Sequence, residues 1–172
     1  MRKPIRHELV QSFGRQFEAH FPQFRVSDRE ANAWTWASKI SDELTGFVML
    51  QAMEREDQFT LEVAWSDNSE FPWGAFGQKN PDARQGRIRL QPTDAIAGDE
   101  GVWDICPEKT RARKANSDAL TAGERNPSPQ ELTVDELLPR VGSLVQDAVK
   151  SFQFNGLPLL VHVARTAGVD WK

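Results

Sequence analysis

Phe59-Thr60-Leu61-Glu62-Val63-Ala64-Trp65 is the stretch that decides the fold. Large apolar side chains fill every second position, with Thr60, Glu62 and Ala64 between them. Successive side chains of a strand point to opposite sides of the pleat, so a period of two predicts a strand with one face in a core. The charged turn Glu54-Arg55-Glu56-Asp57 precedes it. Before that turn, Phe47-Val48-Met49-Leu50 runs without a polar break, as expected of a strand covered on both faces. Further upstream, Trp34, Trp36, Ser38 and Ile40 alternate with Thr35, Ala37 and Lys39. Downstream, Arg87-Ile88-Arg89-Leu90 predicts a fourth strand with Ile88 and Leu90 inward. If it pairs with the third, Arg87 or Arg89 opposes Glu62, a cross-strand contact worth about 0.2–1 kcal/mol. Val102-Trp103-Asp104-Ile105 reads as a short fifth strand before Pro107.

Helical spacing brackets these strands. Ile5, Leu9, Phe13, Phe17 and Phe21 recur every four residues and form one apolar stripe, which Pro22 ends. Near the other end, Thr133-Val134-Asp135-Glu136 matches a capping box, and Val134, Leu137, Leu138, Val141, Leu144, Val145, Ala148, Val149 and Phe152 keep helical spacing. Pro139 interrupts that helix, predicting a kink or a restart there, and Asn155-Gly156 predicts its stop. Residues 158–167 read as a last short helix between Pro158 and Gly168, although a buried strand over Leu159–Val163 has similar periodicity. The expected fold is α+β: an antiparallel meander of four or five strands with N- and C-terminal helices packed on it. A chain of 172 residues is the length of a single domain. Residues 108–130 lack periodicity and read as a long irregular loop, of the kind that is either functional or mobile.

Composition narrows function mainly by exclusion. A net charge of −4 lacks the basic face of a nucleic-acid binder. Cys106 is the only cysteine, so no internal disulfide forms, and no run approaches the roughly 20 apolar residues that cross a bilayer. The N-terminus carries no apolar signal core. The cytoplasm is therefore the expected location, with neither membrane nor nucleic acid as partner. One cysteine and three scattered histidines, at positions 7, 20 and 162, supply no zinc set, and Asp67-Asn68-Ser69-Glu70 lacks the glycine of a calcium loop. No phosphate-binding fingerprint and no catalytic triad is legible, so neither a cofactor nor a catalytic residue is assigned. Cys106 reads as a small buried apolar residue, His20 as a partner of the first helix's C-terminus, and His162 as a core histidine. The cluster Lys109, Arg111, Arg113 and Lys114 reads as a solvated loop.

One segment resists a plain reading. Phe71-Pro72-Trp73-Gly74-Ala75-Phe76-Gly77 sets three large aromatics in a Gly/Pro-rich connection, bounded by Asp67, Glu70, Lys79 and Asp82. Neither strand nor helix periodicity explains them. Either they fold back onto an end of the sheet, or they form a rigid recognition patch with nearby acids complementing a basic protein partner. Exposure of Trp73 separates these readings.

The strand at 59–65 followed by Phe71-Pro72-Trp73 resembles small bacterial α+β proteins of unknown function, some of immunity-protein type that neutralise toxins. The resemblance spans residues 10 to 95 and carries no catalytic residue. It implies a non-enzymatic protein-binding module; the competing expectation is a small-molecule site or enzyme pocket between sheet and helices.

Overall fold

The structure, a computed structural model, describes residues 1–53, 56–93, 101–111 and 132–171. Helix α1 (Lys3–His20) opens the chain with Pro4 in its first turn, where the missing N–H has no intrahelical acceptor anyway. Ile5, Leu9, Phe13 and Phe17 are buried along one face, and Phe21 continues the row just past the helix end. There Nδ1 of His20 meets the Gln16 carbonyl at 2.8 Å.

Among the described residues six strands follow: β1 (Arg25–Arg29), β2 (Ala33–Lys39), β3 (Thr45–Ala52), β4 (Gln58–Ser66), β5 (Gln85–Arg89) and β6 (Val102–Asp104). They form one antiparallel sheet in the order β1-β2-β3-β4-β5, with β6 also paired to β4. β5 takes Glu62 to Ser66 of β4 and β6 takes Gln58 to Thr60, so the two lie end to end along one edge. The chain between them is fastened to the following helix. Ser151 Oγ donates to the Gln91 carbonyl at 2.6 Å, and Asp147 accepts from the Thr93 backbone N–H at 3.1 Å and from Trp103 Nε1 at 2.7 Å.

Helix α2 (Val134–Ser151) starts at the predicted capping box: the Glu136 carboxylate accepts from the Thr133 N–H at 2.7 Å while Thr133 Oγ1 accepts from the Glu136 N–H at 3.4 Å. Of the kink or restart expected at Pro139, the restart does not occur: the helix runs through the proline. Proline removes only the bond to the Asp135 carbonyl, within reach of a first turn that the box already holds. The expected stop at Asn155-Gly156 is also overturned. A π-helical segment, Phe152–Gly156, leads directly into α3 (Leu157–Thr166). Gly156 stays helical at φ −74°, and its lack of a side chain serves close packing: a Cβ there would sit 2.6 Å from the Phe152 ring and 2.7 Å from Val63. α3 ends as expected before Gly168, whose φ is +75°. His162 on α3 is exposed, not a core residue. Residues 107–111 are helical, and the remainder of the irregular loop expected over 108–130 lies outside the described residues.

The sheet has two unlike faces. Trp36, Val48, Leu50, Phe59, Leu61, Val63 and Trp65 meet α1, α2 and α3 in one core cluster. Phe152 is its hub, with ring centroids of Phe17, Phe21 and Phe24 at 5.1, 4.8 and 5.5 Å. Each such side chain contributes about 1.5–3 kcal/mol through burial. The opposite, far face presents Thr35, Phe47, Met49, Glu62, Ala64 and Arg87, all buried although none belongs to that cluster.

Candidate binding surface

The far face is where the aromatic connection lies. After β4, the Ser66 hydroxyl accepts from the Asn68 N–H at 3.2 Å and turns the chain back. Buried Pro72 then leads into a 3-10 turn at Trp73–Ala75. Phe76 makes a parallel bridge to Arg87, and Gly77, at φ +82°, donates to the Arg87 carbonyl at 2.8 Å. The segment is thus stitched to β5 rather than left loose.

Arg87 is the post around which it wraps. Its guanidinium carbon lies 5.2 Å from the ring centroids of Phe71, Trp73 and Phe76 alike, and its Nη1 donates to the Trp73 carbonyl at 3.0 Å. Below, Nε donates to the carboxylate of Glu62, which is 0% exposed and also accepts from Nη2 of Arg89 at 3.2 Å. A cation over aromatic faces is worth about 0.5–2 kcal/mol per pair, most where water is excluded. Phe71 packs edge-on to Phe47 at 5.8 Å and is half-buried. Trp73 remains 47% exposed and Phe76 56% exposed. The aromatics therefore fold back, but over the far face rather than an end of the sheet, and two of the three still present ring surface to solvent.

The six residues singled out in the sequence do not form one cluster. Glu70, Phe71 and Trp73 line a groove of about 310 Å³ together with Ser27, Asp28, Thr35, Phe47 and Ser69. Phe76 sits over Arg87 and Arg89, with the Arg89 guanidinium 5.3 Å from its ring. Asp67 and Asp82 line a separate, wider cleft of about 610 Å³ at the rim of the sheet, with Glu43, Arg84 and the end of α3. Arg84 stands 3.7 Å from Asp67, an exposed contact of little weight.

Sequence reasoning missed Ser27 and Asp28, because β1 is exposed throughout and has no hydrophobic period. Asp28 reaches the groove through a β-bulge. Val26 pairs with Trp36 and Asp28 with Thr35, leaving Ser27 as the extra residue. A bulge re-aims side chains, and here it brings Asp28 to the far-face side of Thr35. Strict alternation from Arg25 would have turned it away.

Among the described residues, no group of three or more His, Cys, Asp or Glu side chains is arranged to hold a metal ion, and no helix is long and apolar enough to cross a membrane. Cys106 is buried. Of the basic cluster, Lys109 reaches to 3.8 Å from Asp57 and Arg111 is exposed, while Arg113 and Lys114 lie outside the described residues. No protein-family model matches this chain, and neither a curated protein nor a solved structure is detectably similar to it.

Proposed function

We propose that this chain is a non-enzymatic binding protein that captures one protein partner on the aromatic segment of its far face. The observation that carries this reading is the exposure of Trp73 and Phe76 on a support that is already rigid: Arg87 and Glu62 hold the rings before any partner arrives. Aromatic anchors dominate binding energy where they enter a partner's pocket, and preorganisation lowers the entropy lost on association. An inhibitor of immunity type, seated on a toxin domain, is the form that the resemblance noted above favours. Capture in the cytoplasm, with protein rather than nucleic acid or membrane as target, belongs to the same reading.

The test begins with a partner recovered from the cells that make this protein, then purified and titrated calorimetrically. Trp73→Ala is expected to weaken binding by more than about 1 kcal/mol while lowering stability by no more than its cation–π contact with Arg87, about 0.5–2 kcal/mol. A stable variant with wild-type affinity overturns the proposal.

A further inference from the structure

The groove of about 310 Å³ beside Trp73 has a chemistry more specific than an aromatic patch. Two carboxylates line it, Asp28 from the β1 bulge and Glu70 from the turn after β4, together with Phe71, Trp73 and, from the sheet itself, Phe47. Asp28 accepts only the N–H of its neighbour Arg29, at 2.7 Å, and neither carboxylate has a cationic partner among the described residues. The nearby cations Arg87 and Arg89 are absent from the lining, and both donate to Glu62. Ser27, Thr35 and Ser69 complete the lining, and the Ser27 hydroxyl donates to the Thr35 carbonyl at 3.3 Å.

We propose that this groove is a slot for an arginine side chain on a basic protein partner; the proposal rests on the protein-capture reading and names the chemistry that the partner presents. A guanidinium is planar, stacks on indole and phenyl faces, and offers a fork of donors to carboxylates, so one arginine satisfies rings and acids together. Lysine offers a compact, strongly hydrated point charge that matches the acids but stacks poorly. The groove is at the small end of the range for ligand sites, about 300–1,000 Å³, which suits one long side chain. The β-bulge gives the site its built character: without Ser27 as an inserted residue, Asp28 would not share a face with Thr35 and Phe47.

The probe is a capped hexa-arginine peptide, with lysine and glutamate peptides of equal length as comparisons, titrated by calorimetry into the full chain. The acids are tested with Asp28→Asn/Glu70→Gln, against the charge-matched exposed pair Asp42→Asn/Asp170→Asn. Expected results are arginine binding tighter than lysine, no glutamate binding, a loss of about ten-fold or more in Asp28→Asn/Glu70→Gln, and a change within about two-fold in the control pair. Trp73→Ala is expected to weaken the arginine peptide by a similar factor. If Asp28→Asn/Glu70→Gln binds as the control pair does while Trp73→Ala is weakened, the slot is overturned and the aromatic capture surface stands. If Trp73→Ala also keeps wild-type affinity, or no peptide binds, the slot is overturned and the fate of the capture surface rests on the purified partner. Equal affinity for arginine and lysine overturns the guanidinium assignment.

Discussion

Glu62 and Arg87 meet diagonally across the β4–β5 pair: the backbone partner of Glu62 is Arg89, yet Nε of Arg87 also donates to its carboxylate. One fully buried carboxylate therefore serves two guanidinium groups, and one of these holds three aromatic rings. Glu62→Gln leaves Arg87 short of its counter-charge in a dry site, where breaking a buried pair costs about 3–5 kcal/mol. The urea midpoint is expected to fall with the slope unchanged, and 1H–15N spectra to show the Trp73 indole signal broadened or shifted. A loss below about 1 kcal/mol would show that the pair does not anchor the segment.

Gly86 lies opposite Trp65 in register, and the indole covers the position where a side chain would begin. A Cβ at Gly86 would stand 2.0 Å from the Trp65 ring, which is fully buried and tied by its Nε1 to the Ala83 carbonyl at 2.9 Å. Gly86→Ala is expected to lose about 1–3 kcal/mol or more through overpacking. Gly142, inside α2 with open space beyond it, predicts the opposite sign: Gly142→Ala gains about 0.5–1 kcal/mol. Paired denaturation curves read both.

Acid lability centres on Asp57. Burial pushes its carboxyl up, but the Arg2 backbone N–H, the Arg2 guanidinium at 2.9 Å and Lys109 together outweigh this and hold it below the usual carboxylate range. A depressed folded value means that stability is present above the unfolded carboxylate range, near pH 4, and is lost as pH falls through the folded value. Glu108, bonded to Arg140, and Glu136, bonded to Thr133, are lowered too and contribute with the same sign. Asp57→Asn is expected to flatten, without abolishing, the fall in urea midpoint between about pH 5 and pH 2. An unchanged slope would refute the assignment.

Asp147 fastens the interrupted edge of the sheet to α2 through Trp103 and Thr93. Asp147→Ala strands the indole N–H of a Trp that is 1% exposed, at a cost of about 1–3 kcal/mol. Hydrogen exchange is expected to quicken at the β6 amides bonded to β4 before it does in β3. Uniform quickening across the sheet would show that Asp147 acts on global stability alone.

Much of this architecture was readable in advance, for a consistent reason. Wherever one face meets a core, burial imposes a period: four in α1, two in β4, an unbroken run in β3. β1 escaped because it is an exposed edge strand, and charge on an edge leaves no hydrophobic rhythm. Gly156 misled because glycine marks both a helix stop and a close approach, and only the position of Val63 and the Phe152 ring distinguishes them. His162 looked internal because its neighbours are apolar, yet it falls on the solvent side of α3.

The amino-acid sequence by itself determined the meander, the capping box, the facing of Glu62 by an arginine of the next strand and the oddity of Phe71–Phe76. Those are local or nearest-neighbour matters of side-chain period and hydrogen-bond chemistry. That both Arg87 and Arg89 reach Glu62 came from the tertiary structure. Tertiary structure alone also decided that Asp28 joins Glu70 and Trp73 while Asp67 and Asp82 go to another cleft. That partition depends on a one-residue bulge and on how a connection folds over a sheet, and neither leaves a periodic trace in the chain.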